Sequence, residues 1–159
     1  MYKKIMVAID GSASSKQALA EAVKMALASD THVSVVYVVD KSVLFTYAGR
    51  FDPHALVEEI SDDGRKVLRE AEQIIALAGA NGEGELVETE SLGEDIAERL
   101  QRYVKEHDIE LAVVGTHGRR GIQRVLLGSV AERFVRGATC PVLLIRGDDG
   151  DVPASATAA

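Results

Sequence analysis

The chain has no tryptophan, three phenylalanines and four tyrosines, so a core has to be built mainly from Val, Ile, Leu and Ala. Its one cysteine, Cys140, excludes an internal disulfide and a cysteine-ligated metal cluster. Basic charge is in deficit: 18 Lys and Arg stand against 25 Asp and Glu, a net charge of −7 and a pI of about 5.1. Nucleic acids and anionic membrane surfaces require a basic field, so neither is expected as a partner. One anionic small molecule at a locally basic spot stays compatible with that balance. No run approaches the ~20 apolar residues of a membrane span. The opening "MYKKIMVAIDGS" has too short an apolar run for a signal peptide and is closed by Asp10. A cytoplasmic location is the expectation.

What is present is an alternation of two patterns over 159 residues, a length that favours one domain. Short apolar runs rich in β-branched residues occur at 4–9 (KIMVAI), 32–39 (HVSVVYVV), 111–115 (LAVVG) and 141–145 (PVLLI). They lack in–out alternation, as strands covered on both faces do. The segment 84–90 (GELVETE) alternates and reads as a half-exposed edge strand. Between the runs lie helical stripes at 14–29, 54–78, 94–107 and 129–136. Ser14 and Gln17 have capping-box spacing, and Gly137 reads as the stop of the last helix. Gly64 inside the second stripe weakens the case for one unbroken helix. Asp95–Arg99 and Glu98–Arg102 are spaced as i,i+4 ion pairs. Residues 40–53 show no regular pattern, and the tail 147–159 has few apolar anchors and reads as disordered. The βαβ alternation predicts an α/β fold, a doubly wound, mainly parallel five-stranded sheet with helices on both faces.

In such a fold, ligands bind beyond the C-terminal ends of the strands. The segments 8–12 (AIDGS), 38–42 (VVDKS) and 114–121 (VGTHGRRG) are delivered there. Gly115 and Gly118 follow a strand directly, where glycine permits a sharp turn and close approach of a ligand to main-chain N–H groups. Gly128-Ser129 then opens a helix, whose first N–H groups and dipole favour an anion. Arg119, Arg120 and Arg124 make the intervening segment basic. Against this, Ser129 and Glu132 have capping-box spacing, and the glycines suit an ordinary turn. No G-x-x-x-x-G-K-[ST] or strand-linked G-x-G-x-x-G is present. His117 lies inside the glycine-rich stretch, but a lone histidine is more often structural, and His32, His54 and His107 are scattered. Cys140, ahead of an apolar strand, reads as a buried thiol and not a reactive one.

The pattern Gly115-x-x-Gly118-x9-Gly128-Ser129 resembles the nucleotide-binding signature of the universal stress protein family. "MYKKIMVAIDGS" is similar to that family's first strand, and "ATCPVLLIR" to its last. The likeness covers roughly residues 1–146. It implies an ATP-binding domain with strand order 3-2-1-4-5, paired as a homodimer through the last strand. By position it implies that Ala8 and the main chain of Val38 border adenine, and that Asp10 contacts the ribose or a metal-bound phosphate. Val114 and Gly115 would line the base and ribose. Gly118, Gly128, Ser129 and Val130 would hold phosphates, with Arg119 nearby. Ala8 departs from relatives that have proline there, at a position that contributes shape only. Mg²⁺ would arrive with the nucleotide, held by phosphates and water, and by no protein site of its own.

These features lead to an ATP-binding regulatory protein of the stress response with slow or no hydrolysis. Arg119 and Arg120 suit charge neutralisation, but only Asp10 is a candidate to position water. AMP or a cyclic nucleotide is the alternative ligand. A ligand-free dimeric adaptor acting through its surface on a protein partner, not identified by the sequence, is the alternative of another class. An adenylyl-transfer enzyme would need a further substrate domain, for which this chain has no room. Residues 40–53 have the length of a lid over the ligand. The last strand, apolar and at a sheet edge, invites pairing with a second copy.

Overall fold

The structure, a computed structural model, describes residues 1–46, 49–50, 52–90, 93–117 and 127–147. The chain runs β1 (Lys4–Ala8), α1 (Ala13–Ser29), β2 (His32–Val39), α2 (Val43–Thr46), α3 (Pro53–Ala78), β3 (Asn81–Glu88), α4 (Ile96–Glu106), β4 (Leu111–Gly115), α5 (Ser129–Gly137) and β5 (Val142–Ile145). The five strands form one sheet in the order β3-β2-β1-β4-β5. Every pairing is parallel. Among the described residues no helix is long and apolar enough to cross a membrane. The expected tail, 147–159, lies outside the described residues apart from Gly147.

Side-chain alternation on the central strands builds two cores. Ile5 and Val7 of β1, with Val33 and Val35 of β2, pack against Leu19 and Val23 of α1 and Leu68 and Ile75 of α3. Met6, Val36, Ala112 and Val114 face the other way, onto Leu100, Tyr103 and Val104 of α4 and Phe134 of α5. The lack of in–out alternation in β1, β2 and β4 follows, because both faces are covered and both select apolar residues.

β3 begins at Asn81, three positions before the sequence places it, and pairs from His32↔Asn81 to Val39↔Glu88. The opening N-G-E-G carries no apolar signal because backbone lies where side chains would. A Cβ on Gly82 would stand 2.5 Å from the Val33 carbonyl oxygen. The outward N–H of Gly84 donates to Glu72 of α3 at 3.0 Å.

Three helix starts differ from the expected capping pattern. Ser12, not Ser14, is the N-cap of α1 and accepts the Ser15 N–H at 3.3 Å. The chain turns at Gly11 (φ +84°), which leaves Ser12 extended and commits Ser14 to the helix. In α4, Asp95 and Glu98 form a capping box, so neither makes the i,i+4 pair that its spacing suggests. Asp95 instead meets Arg133 of α5 at 2.5 Å. Arg99 turns inward and donates from Nε to the Glu88 carbonyl at 2.9 Å. In α5, the N-cap is Gly128, so Ser129 is the first helical residue and not the cap. The patternless 40–53 segment holds the short α2 and ends in a cap, Asp52, whose carboxylate accepts the His54 N–H at 3.1 Å. Pro53 just inside the start of α3 is the signal that locates this end. Gly137 closes α5 as expected, and a Cβ there would stand 2.4 Å from Gln101 Nε2. Gln101 uses that space to donate to the carbonyls of Arg133 (2.9 Å) and Phe134 (3.3 Å).

α3 passes through Gly64 unbroken for 26 residues. A Cβ at Gly64 would lie 2.6 Å from Tyr37 Cδ1 and 2.7 Å from Leu86 Cδ1. The glycine marks where the helix presses closest to the sheet. Gly64→Val is therefore expected to cost about 1–3 kcal/mol or more, read as a lowered urea midpoint with an unchanged slope.

Arg102 gathers three carboxylates: Glu94 at 2.8 Å, Glu90 at 2.8 Å and Glu106 at 2.9 Å. Its hydrogen bond holds the Glu94 carboxyl below its ordinary pKa, against an opposing effect of burial. A depressed carboxylate contributes stability above the unfolded pKa and loses it as pH falls through the folded one. The fold should therefore weaken below about pH 4.5 partly through Glu94. Arg102→Leu should flatten that acid limb, measured as unfolding free energy between about pH 6 and pH 3.

Candidate functional site

The C-terminal ends of β1, β2 and β4 form one rim. Ala8 pairs with Val36 on one side and Val114 on the other, and the Ile9 N–H donates to the Val36 carbonyl at 2.9 Å. Ala8 and Val38 are half-buried and both pack on the core under α4 and α5, where Val114 is 4% exposed. Three of the residues assigned to the base side thus share one face of the sheet. Asp10 follows β1, and its Oδ1 accepts the Ser12 N–H at 2.9 Å.

Thr116, just past β4, joins the rim to α5. Its N–H donates to the Ile145 carbonyl of β5 at 2.9 Å, and its carbonyl accepts the Gly128 N–H at 2.7 Å. The first turn of α5 therefore starts beside the end of β4, next to the Ala8 and Val114 pair. Gly128 has no side chain to offer as a cap, whereas α1, α3 and α4 are capped by Ser12, Asp52 and Asp95. Ser129 and Val130 are exposed in that first turn. The partial positive charge of a helix start is thus presented at the rim, and among the described residues no side-chain cap hydrogen bond meets it. Leu127, ahead of Gly128, packs into the same core.

Of the expected site residues, Ala8, Asp10, Val38, Val114, Gly115, Gly128, Ser129 and Val130 fall around this rim. Gly118 and Arg119, with Arg120 and Arg124, lie outside the described residues. Gly115 has a reason that its sequence position does not reveal. Its φ is not among the positive ones, and a Cβ there would stand 2.5 Å from Ser14 Oγ. The sequence reading also passes over Ser12 and Ser14 as site residues. Their hydroxyls both donate to the His117 carbonyl, that of Ser12 at 3.2 Å. The signal was the density of hydroxyls in "DGSASS", which reads as helix capping until the partner strand is known. His117 enters the rim through its main chain, and its Nδ1 lies 2.9 Å from Thr116 Oγ1. Cys140 is half-buried, and burial raises the pKa of its thiol, which disfavours the thiolate. Among the described residues, no three His, Cys, Asp or Glu side chains converge as a metal site.

The model of the universal stress protein family matches residues 1–146. A universal stress protein of Methanocaldococcus jannaschii is 32% identical over 146 residues, 92% of this chain and 83% of the relative. The crystal structure of a universal stress family protein from Burkholderia pseudomallei is 39% identical, with a TM-score of 0.74, covering 91% of this chain and 96% of that one. The universal stress protein of Archaeoglobus fulgidus, solved in complex with dAMP, is 26% identical, with a TM-score of 0.65 over 91% of this chain and 98% of that one. Family model, relatives and sheet order agree, and the chain belongs to the universal stress protein family.

Proposed function

We propose that the chain is an ATP-binding regulatory protein of the stress response, with the nucleotide lying between the glycine segment after β4 and the N-terminus of α5. The observation that carries this is the start of α5, uncapped by its own N-cap residue and tied through Gly128 to the end of β4. An anion that meets the first N–H groups of a helix gains both hydrogen bonds and the dipole. The half-buried Ala8 and Val38 beside buried Val114 offer an apolar face for the base on the same rim as that anion end. Asp10, just past β1 on the same rim, is suited to a ribose hydroxyl or to a Mg²⁺ that arrives on the phosphates. Bound dAMP in the Archaeoglobus fulgidus relative supports an adenine nucleotide of some phosphate number. Gly118 and Arg119 complete the proposed phosphate contacts, and the cytoplasm is the proposed location.

The test is to denature protein purified without added nucleotide and to identify what it releases by anion exchange and mass spectrometry. ATP near one equivalent per chain is the expected result. AMP or a cyclic nucleotide would keep the site and change the signal it reads. An empty protein that also fails to bind ATP with Mg²⁺ would overturn the proposal in favour of a ligand-free adaptor. Ser129→Glu supplies a sharper variant. Acid at the first helical position suits the helix, yet it repels phosphate, so affinity for ATP should fall roughly tenfold or more with the fold intact. Hydrolysis is proposed to be slow or absent, and turnover of about 1 s⁻¹ or faster would contradict that.

A homodimer through β5 belongs to the same proposal. β5 is an edge strand of the sheet, and its Leu143 and Leu144 are 38% and 37% exposed in the single chain. Paired antiparallel with a second copy, the strand would bury both and satisfy its outer main-chain groups. Leu143→Glu should give monomers in sedimentation velocity at unchanged helix content.

A further inference from the structure

Ser14 is 2% exposed, lies in the first turn of α1 and does not cap it. Its hydroxyl donates to the His117 carbonyl and accepts the His117 N–H at 3.3 Å, so both main-chain groups of one residue close on it. Ser12, the actual cap, adds a second hydroxyl to that carbonyl at 3.2 Å. The space around Ser14 is kept by two glycines. A Cβ on Gly115 would stand 2.5 Å from Ser14 Oγ and 2.7 Å from its carbonyl carbon. One on Gly147, just past β5, would stand 3.1 Å from Ser14 Cβ. Neither glycine has a positive φ, so close packing is the reason for both.

The position of His117 gives this arrangement a consequence. It is the last residue before Gly118, and its neighbour Thr116 holds Gly128 through a 2.7 Å hydrogen bond. Both ends of the 117–128 segment are thereby referred to one fixed point, the first turn of α1. A buried hydroxyl bonded to main chain holds its partner in one place, because leaving it unmet costs the desolvation of the carbonyl.

We infer that Ser14 is a positioning residue for the phosphate end of the site: it touches no ligand, and it fixes where the glycine segment leaves β4. The inference rests on the nucleotide reading for its effect on affinity, but not for its effect on the main chain.

The experiment compares Ser14→Ala with Thr31→Val. Thr31 is 1% exposed at the opposite end of the sheet, where its hydroxyl donates to the Tyr2 carbonyl at 2.6 Å. The control thus loses a buried hydroxyl of the same kind. Amide exchange of the nucleotide-free proteins is followed by NMR, and affinities for ATP with Mg²⁺ and for adenosine are measured by calorimetry. In Ser14→Ala, exchange at His117 and Gly128 should quicken about five- to tenfold, while Thr31→Val leaves both amides unchanged. ATP should lose about tenfold in affinity and adenosine less than twofold, since only the phosphate end is displaced. Equal losses for both ligands, or exchange at His117 no faster than in the control, overturn the inference. A wild-type protein that binds neither ligand defeats the nucleotide reading, and the exchange comparison then decides the clamp by itself. Should Ser14→Ala not fold, Gly147→Ala presses on the Cβ and main chain of Ser14 and leaves its hydroxyl in place. The His117 amide and carbonyl signals should then move, and unmoved signals overturn the inference.

Discussion

A parallel sheet has to be covered on both faces, because each strand reaches its neighbour only by a crossover that lays a helix across the sheet. In this chain α1 and α3 cover one face and α4 and α5 the other, and the central strands are apolar on both sides in consequence. The order β3-β2-β1-β4-β5 places β1 at the centre, where the winding reverses direction. The C-terminal ends of β1 and its neighbours therefore part there, with helices on opposite faces leaving a gap between them. The candidate site is a product of that covering rule before it is a product of any particular residue.

Close approach is the second theme. Gly64 under Tyr37, Gly82 against the Val33 carbonyl, Gly115 against Ser14 and Gly137 against Gln101 are all places where a methyl group would collide with what lies opposite. The chain is poor in large aromatics, and it gains contact by close approach at these points, helix to sheet at Gly64 and Gly115, strand to strand at Gly82 and helix to helix at Gly137. Ion pairs then tie the outer surfaces, as Arg102 does with Glu90, Glu94 and Glu106, and Asp95 does with Arg133. Most of these groups are partly exposed, so their chief effect is on the geometry of α4 and α5 more than on total stability.

Among its described residues, the site is tied together chiefly through main-chain groups. Thr116 links β5, β4 and α5 by two backbone hydrogen bonds, and His117 is gripped through its peptide groups. A helix can start on a glycine N-cap at such a rim because the neighbouring carbonyl of Thr116 already takes one of its N–H groups. An acidic chain can in this way offer a local electropositive end from its main chain.

Much of the fold was legible in the sequence. Unalternating apolar runs located β1, β2, β4 and β5, and helical stripes located α1, α3, α4 and α5. The order of the strands came with the family resemblance and not from the residues taken singly. The start of β3 was not legible, since Asn81-Gly82-Glu83-Gly84 is shaped by the Val33 carbonyl and by Glu72, both distant in the chain. Nor were the caps. Local spacing made Ser14 and Ser129 look like N-caps, but the turn at Gly11 and the tie from Gly128 to Thr116 moved each helix start by a residue or two. The glycine motif announced its site, yet the role of Ser14 depends on a contact 103 positions away in sequence. Periodicity and composition by themselves determined that this chain folds as helices over an apolar parallel sheet, because burial acts on each segment according to its own pattern. Only the tertiary structure decided which hydroxyl caps, which holds a distant carbonyl, and why a given glycine must stay a glycine. Those outcomes depend on what packs opposite, and a linear sequence does not record it.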